Sequence, residues 1–168
     1  MNLKLAVQAT LLGGLIVFVW GAASHMLLPE PVTVMSDTKS VDDFLAKNAP
    51  SNGAFFDPRG VMVIVGFLPD KTDKSLNMGP QLAIEFATNL FQAFLLLVVL
   101  LRVKAKSVFD YGLMSCILGV MAWVSIEVSY WNWYSFSPPL LVMGFLDALI
   151  GFFLAGACIG WLIRKQAA

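Results

Sequence analysis

Charged residues are scarce in this sequence: Asp, Glu, Lys and Arg make up 13% of it, against 58% hydrophobic residues. Soluble domains carry roughly a quarter charged residues, so this composition excludes an ordinary soluble domain and points to the lipid bilayer. The formal net charge is zero, and no basic run is long enough to indicate a nucleic-acid partner.

Cysteine and histidine are also rare, with two Cys and one His in 168 residues. Cys116 and Cys158 fall within apolar stretches and form no C-x-x-C pair, which argues against a disulfide framework or a thiol-exchange site. A single His and no activated-nucleophile motif leave little material for catalysis, so the sequence favours a protein that is not an enzyme. A quinone- or lipid-handling enzyme has only the aromatic content in its favour.

Long runs of apolar residues dominate the sequence. Four of them are long enough for a helix to cross a hydrocarbon core of ~30 Å, which takes about 20 residues. A barrel would require short alternating segments, which the sequence lacks. We therefore predict an all-α membrane protein, with a four-transmembrane-helix bundle as a single membrane domain. The predicted spans are residues 5–28, 82–101, 108–130 and 140–163.

Basic residues flank the predicted spans unevenly. Lys4 precedes the first span, a basic cluster lies between the second and third, and Arg164 and Lys165 follow the fourth. The positive-inside rule then predicts that both termini and the 102–107 loop are cytoplasmic. A cleaved signal peptide is the less favoured alternative, because the first apolar run is longer than a usual signal-peptide core.

Residues 29–80 are expected to form a small extracytoplasmic α+β cap between the first two spans. Ser40 and Asp43 have capping-box spacing, which predicts a short helix over 41–48. An Asp-Pro-Arg-Gly turn predicts a hairpin over 54–68. Its second strand is apolar on both faces, so either the rest of the protein or a partner must cover it. The residues expected at interfaces are Val61, Val63, Val65 and Phe67, with Gly156 and Gly160 of a G-x-x-x-G pattern.

Each predicted span carries one titratable residue towards its outer end. These residues are His25, Glu85, Glu127 and Asp147. Polar groups inside a membrane face protein or water, so we expect the four to meet beneath the cap. A polar network of Asn89, Gln92 and Ser129 is expected around them. Three carboxyl groups with no Lys or Arg in the spans imply retained protons, a bound cation or a water-filled vestibule.

The titratable cluster allows three interpretations. It is either a hydrogen-bonded polar plug that fixes helix register, a divalent-cation site, or a proton or small-cation pathway. The metal ligands would be His25, Glu85, Glu127 and Asp147, although no H-x-x-x-H or E-x-x-H spacing supports them. A pathway is disfavoured because the inner half of the spans lacks titratable relays.

Two segments, Trp20-Gly-Ala-Ala-Ser-His25 and Ser129-Tyr-Trp-Asn-Trp-Tyr134, carry a resemblance. The chain resembles a set of small, uncharacterised four-span bacterial membrane proteins with W-G-x-x-S-H near the N-terminus and S-Y-W-N-W-Y before the last span. The resemblance implies topology and bacterial origin, but no activity and no site residues.

One functional expectation follows from the lack of a catalytic motif, the apolar strand of the hairpin and the rows of small residues along the last two spans. These rows are Gly112, Ser115, Gly119 and Ala122 in the third span and Gly144, Ala148, Gly151 and Ala155 in the fourth. We expect a non-catalytic integral membrane protein, an accessory subunit or an assembly or stability factor of a larger complex. Its partners would be the lipid bilayer and other membrane subunits or further copies of itself. The alternative is a cation- or proton-binding membrane protein that uses the four titratable residues.

Overall fold

The structure, a computed structural model, describes residues 2–27, 36–49, 51–66 and 79–167. Its elements follow in the order α1 (Leu3–Leu27), α2 (Thr38–Asn48), β1 (Gly53–Asp57), β2 (Val61–Val65), α3 (Gly79–Leu100), α4 (Val108–Tyr134) and α5 (Pro138–Ala167). They form two compact units, a helical unit of α1, α3, α4 and α5 and a smaller unit within residues 32–78. The smaller unit corresponds to the segment expected to form the cap.

Four helices, α1, α3, α4 and α5, are long and apolar enough to cross a membrane. This confirms the predicted four-span all-α fold. Two helices extend four residues beyond their predicted ends: α5, predicted to stop at residue 163, continues to Ala167, and α4, predicted to stop at residue 130, continues to Tyr134. Ser135 ends it, with a φ of 54° in the left-handed region. The aromatic segment is therefore the end of a helix, where Trp131 and Trp133 remain exposed.

Glycines mark where the helices of the bundle pack most closely. Gly160 of α5 faces Tyr111 near the start of α4, whereas Gly119 further along α4 faces Ala148 near the start of α5. The two helices are therefore antiparallel, and small residues permit their close approach. α1 packs antiparallel along both α3 and α5, while α3 and α4 contact each other at few positions.

The apolar core lies at one end of the bundle, where α1 begins and α5 ends. We call this the basic end, because Lys4, Arg102 and Arg164 lie there. The core residues are Leu5, Ala9, Leu96, Leu97, Leu100, Tyr111, Ala155, Ile159 and Leu162. At the opposite end, here called the aromatic end, α1 stops and α4 turns into α5. A cavity lies in the aromatic half of the bundle, away from this core.

The loop between α3 and α4 is fixed by hydrogen bonds at the basic end. The hydroxyl oxygen of Ser107 accepts from the backbone N–H of Asp110, and the carboxylate of Asp110 accepts from the backbone N–H of Ser107. Arg164 of α5 donates to the carbonyl oxygen of Lys106 at 2.7 Å. The bond from Arg164 therefore holds this loop against α5, beside the core.

In the smaller unit, α2 begins at Thr38 rather than at the predicted residue 41. Asp37 is the N-cap, and its carboxylate accepts from the backbone N–H of Ser40 at 3.1 Å. Asp43, predicted to complete a capping box, instead pairs with Lys39 one turn away at 2.8 Å. The sequence prediction of this start was wrong because Asp37 satisfies the free N–H groups first.

The predicted hairpin is present. β1 and β2 pair antiparallel, with Phe56 opposite Met62 and Ala54 opposite Ile64. Paired residues point to the same side of a sheet, so Phe56, Met62 and Ile64 share one face. All three are exposed, and Phe56 is 67% exposed. We call these three residues the hairpin face.

The hairpin face is not the face expected to form an interface. Among the predicted interface residues, Val61 is exposed, but Val63 is half-buried and Val65 is buried. Phe67 lies outside the described residues. Side chains alternate along a strand, and a run that is apolar on both faces does not indicate which face is covered.

Candidate functional site

Close packing of α4 on α5 positions two acidic residues. A Cβ added to Gly119 would lie 2.7 Å from the carbonyl oxygen of Ala148, so the backbones approach closely here. Further along α4, Glu127 lies over Gly144, and a Cβ added to Gly144 would lie 3.2 Å from its Cγ. Asp147 follows Gly144 by about one turn, or ~4.5 Å along the axis of α5. Both carboxyl groups therefore line the same space between the helices.

α1 contributes an indole and an imidazole to this space. Trp20 lies on Gly151 of α5, where an added Cβ would be 3.1 Å from Cδ1 of the indole. Nδ1 of His25 lies 2.9 Å from the carbonyl oxygen of Gly21 and donates to it, because a carbonyl can only accept. That bond selects the tautomer of His25 and leaves Nε2 as the nitrogen that can accept a hydrogen bond or a proton.

α3 brings polar side chains to the site because it packs closely on α1. A Cβ added to Gly14 of α1 would lie 2.8 Å from Cα of Leu90 in α3. This contact directs the polar face of α3, formed by Glu85, Asn89 and Gln92, towards the space between the helices. Asn89 is buried, while Glu85, nearer the aromatic end, is exposed.

These side chains line one cavity of about 410 Å³ in the aromatic half of the bundle. The structure brings all four titratable residues expected to meet, one from each spanning helix, to the wall of this cavity. They are His25, Glu85, Glu127 and Asp147. Asn89 and Gln92 of the expected polar network also line it. No Lys or Arg belongs to the lining, so its charged groups are predominantly acidic.

Ser129 does not belong to the cavity lining. Its hydroxyl donates to the carbonyl oxygen of Ser125 at 3.0 Å, one turn back along α4. Positions two apart on a helix do not share a face, so Ser129 cannot face the cavity together with Glu127. Its inclusion in the predicted polar network was therefore wrong.

The four titratable side chains surround the cavity without converging on one point. In the part of the chain that the structure describes, no three His, Cys, Asp or Glu side chains are grouped so that they could hold a metal ion. A bound divalent metal requires several protein ligands at about 2.0–2.6 Å. The arrangement therefore gives no support to the divalent-cation site considered from the sequence.

Two buried polar atoms in this region have no hydrogen-bond partner among the described residues. They are Oδ1 of Asp147 and Nε1 of Trp20, both from residues that line the cavity. By contrast, Nε1 of Trp123 on the same cavity wall donates to the carbonyl oxygen of Leu141 at 2.9 Å. Buried polar atoms are nearly always paired, so the two unpaired atoms indicate positions where a bound molecule or water completes the bonding.

Trp20 and Trp123 both line the cavity, although the sequence does not identify either residue as part of the site. One signal was available for Trp123, which lies one helical turn before Glu127 and therefore shares its face. Gly144 similarly precedes Asp147 by about one turn. No comparable spacing distinguishes Trp20, whose position depends on the packing of α1 against α5.

Other residues singled out in the sequence lie outside the cavity lining. Gly156 and Gly160 face Ser115 and Tyr111 in the contact between α5 and α4, so this G-x-x-x-G pattern serves packing within the chain. Cys116 and Cys158 are free thiols, and Sγ of Cys116 donates to the carbonyl oxygen of Leu149 at 3.3 Å.

No known protein family, curated protein or solved structure matches this chain. The geometry of the cavity is therefore the basis for a functional assignment.

Proposed function

We propose that this chain is a multi-pass protein of the bacterial inner membrane that binds a cation, including protons, in the cavity between its four spanning helices. The placement of both termini in the cytoplasm is part of the proposal. It is supported by the basic residues that gather at one end of the bundle, because basic flanks favour the cytoplasmic side.

One observation carries the assignment of a cation site. Each spanning helix contributes one titratable side chain to a single cavity, and three of the four are acids. Acidic groups in a membrane-spanning segment are costly unless a cation, a proton or water compensates them. A cavity with three carboxyl groups and one imidazole is therefore selective for positive charge.

The contacts of these side chains favour ligand binding over a purely structural plug. A plug that fixes helix register would consist of hydrogen bonds between the helices. Among the described residues, none of the four titratable side chains bonds to another, and Oδ1 of Asp147 has no partner. Within the described ranges of the chain, the His25 ring bonds only within its own helix, to the hydroxyl of Ser24 and the carbonyl oxygen of Gly21.

The packing of the helical unit favours binding over passage through the membrane. Val17 and Phe152 line the deepest part of the cavity, next to a small void that also borders Leu96 and Ala155 of the core. The core then fills the bundle towards the basic end. Among the described residues, no Asp, Glu, His, Lys or Arg is buried in this inner region, so the site resembles a pocket that is closed towards the basic end rather than a channel.

The cation site is tested by titrating the purified protein, embedded in lipid nanodiscs, with ammonium chloride at constant ionic strength and measuring the heat. We expect saturable binding of ammonium. Glu127→Gln and Asp147→Asn should each lower the affinity by about tenfold or more, because each removes a charge-assisted contact. Asp42→Asn, which removes an exposed acid of α2, is the matched control. Equal binding by the control and by the Glu127→Gln/Asp147→Asn double variant would contradict the proposal.

A second function is favoured by the hairpin face. Phe56, Met62 and Ile64 present an exposed apolar surface on a two-stranded sheet, which is marginally stable by itself. This supports a role as an accessory subunit or as an assembly or stability factor of a membrane complex. Native mass spectrometry after mild detergent extraction tests this second function. We expect the wild-type protein to be found in a complex, and the double variant Phe56→Ser/Ile64→Thr to weaken that complex. A strictly monomeric wild-type protein would contradict this role.

A further inference from the structure

The size of the cavity indicates what kind of cation it holds. Its volume of about 410 Å³ lies within the range of pockets for small organic ligands, ~300–1,000 Å³. A single dehydrated ion would fill only a small part of that space. The described side chains also lack a grouping that could hold a metal ion. An organic cation fits these two observations better than an inorganic one.

The two unpaired atoms specify complementary groups on the ligand. Oδ1 of Asp147 can accept a hydrogen bond from an ammonium group, and Glu127 of the facing helix lines the same cavity. Nε1 of Trp20 can only donate, so its partner must be an oxygen or another acceptor. Trp123 needs no such partner, because its N–H is already bonded to Leu141.

The indole rings add a second reason for an ammonium group. Trp20 and Trp123 both line the cavity that contains the carboxyl groups. Aromatic faces attract organic cations, and tryptophan does so most strongly. Carboxylates together with indole rings are therefore a suitable environment for a protonated amine.

The helical unit also provides a place for an apolar chain on the ligand. α3 and α4 contact each other at few positions, so the cavity wall between them is thin. On the α4 side of this gap, Ala122 and Ile126 line the cavity and are also exposed, with Ile126 49% exposed. In a bilayer, an apolar group lying in this gap would be in contact with the hydrocarbon region.

We propose that the cavity binds an aliphatic amino alcohol. Its ammonium group lies between Asp147 and Glu127, its hydroxyl oxygen accepts from Nε1 of Trp20, and its chain extends between α3 and α4. This inference rests on the proposed cation site and specifies the class of its ligand.

The test uses the full chain in nanodiscs and four probes: leucinol, ethanolamine, isohexylamine and isohexanol. Leucinol has the ammonium group, the hydroxyl and the aliphatic chain, and each of the others lacks one of these. We expect leucinol to bind at least about tenfold more tightly than ethanolamine, because burial of a branched chain is favourable. Isohexanol should show no saturable binding.

Three variants separate the contacts. Asp147→Asn should weaken leucinol binding by about tenfold or more, whereas Trp20→Phe should weaken leucinol binding severalfold more than isohexylamine binding, because only leucinol loses a hydrogen bond. Trp161→Phe, at an exposed indole outside the cavity lining, is the control. If Asp147→Asn fails to fold, Gly21→Leu replaces it in the test. An added Cβ at Gly21 meets no atom within 4 Å, so the leucine side chain should occupy the part of the cavity that leucinol would take.

Two negative results have different meanings. If ammonium binds at Asp147 but leucinol binds no more tightly than ethanolamine, or equally to wild type and Asp147→Asn, the amino-alcohol inference is wrong while the cation site stands. If neither ammonium nor leucinol binds in a manner that depends on Asp147, the cation site itself is wrong.

Discussion

Glu127 of α4 lies over Gly144 of α5, so that a Cβ added to Gly144 would come 3.2 Å from Cγ of the glutamate. The position of this carboxyl group therefore depends on the absence of a side chain at residue 144. At the basic end the same helix pair is closed by Gly160, which faces Tyr111. One pair of helices thus uses glycine for tight packing at one end and for room around an acid at the other.

Enlarging Gly144 should displace Glu127 without unfolding the protein, because the side chain it meets is flexible. We expect Gly144→Val to weaken ammonium binding by about tenfold, with Gly144→Ala intermediate. The measurement is calorimetric titration in nanodiscs, with thermal unfolding of each variant as a check on folding. Unchanged affinity in Gly144→Val would mean that Glu127 does not contact the bound cation.

Two glycines of the helical unit should respond in opposite ways to alanine. At Gly119 the added Cβ would lie 2.7 Å from the carbonyl oxygen of Ala148, and we expect Gly119→Ala to lower the free energy of unfolding by about 1–3 kcal/mol. At Gly21 it would meet open space, so Gly21→Ala should be neutral or slightly stabilising. Denaturant titration of both variants in one detergent checks this. Similar changes in the free energy of unfolding for the two variants would disagree with the close packing of Gly119 against Ala148.

The contact between Gly156 and Ser115 can be tested by a double-mutant cycle. A Cβ at Gly156 would overlap the side chain of Ser115, so Gly156→Ala should destabilise the protein by about 1–3 kcal/mol. Adding Ser115→Gly should recover part of the loss, with a coupling of about 0.5–3 kcal/mol in the free energy of unfolding. If the changes in the free energy of unfolding of the two single variants simply added up in the double variant, Gly156 and Ser115 would not be in contact.

The hairpin turn should loosen in acid. Arg59 donates to both carboxylate oxygens of Asp57, at 2.6 Å for the shortest contact, and this bonding holds the pKa of Asp57 below its ordinary value. Because the pKa is lowered in the folded turn, the stabilisation is present at neutral pH and above the unfolded pKa of ~3.9. It is lost as the pH falls through the lower folded pKa.

The measurement for the turn is an NMR titration of the Arg59 side-chain Nε–H. We expect this signal to shift as Asp57 is protonated, and the acid-dependent change to be absent in Asp57→Asn. Asp42→Asn should titrate like wild type, because Asp42 is an exposed acid of α2. A titration that persists in Asp57→Asn would show that another group controls the turn.

Hydropathy and the cost of intramembrane charge were sufficient to predict the fold and part of the site. The four spans follow from apolar length, and the grouping of His25, Glu85, Glu127 and Asp147 follows from the rule that such groups avoid lipid. Those predictions use properties of single helices. They need no knowledge of how far apart two particular side chains lie.

What could not be predicted depends on contacts between elements or on competition between neighbours. Asp37 displaced Ser40 as the cap of α2, and α4 continues through the aromatic segment until the αL residue Ser135 ends it. The role of Gly144 becomes visible only when α4 and α5 are placed together. Likewise, the spread of the titratable groups around the cavity, which leaves no metal-holding group among the described residues, is a matter of distances.

The most direct measurement of the cation site is infrared difference spectroscopy of the protein in nanodiscs with and without ammonium chloride. The account predicts carboxyl band changes on addition of the cation, with part of the change missing in Glu127→Gln, another part missing in Asp147→Asn, and all of it retained in Asp42→Asn. A difference spectrum that is the same in wild type and in the Glu127→Gln/Asp147→Asn double variant would contradict it, because neither carboxyl group would then contact the cation.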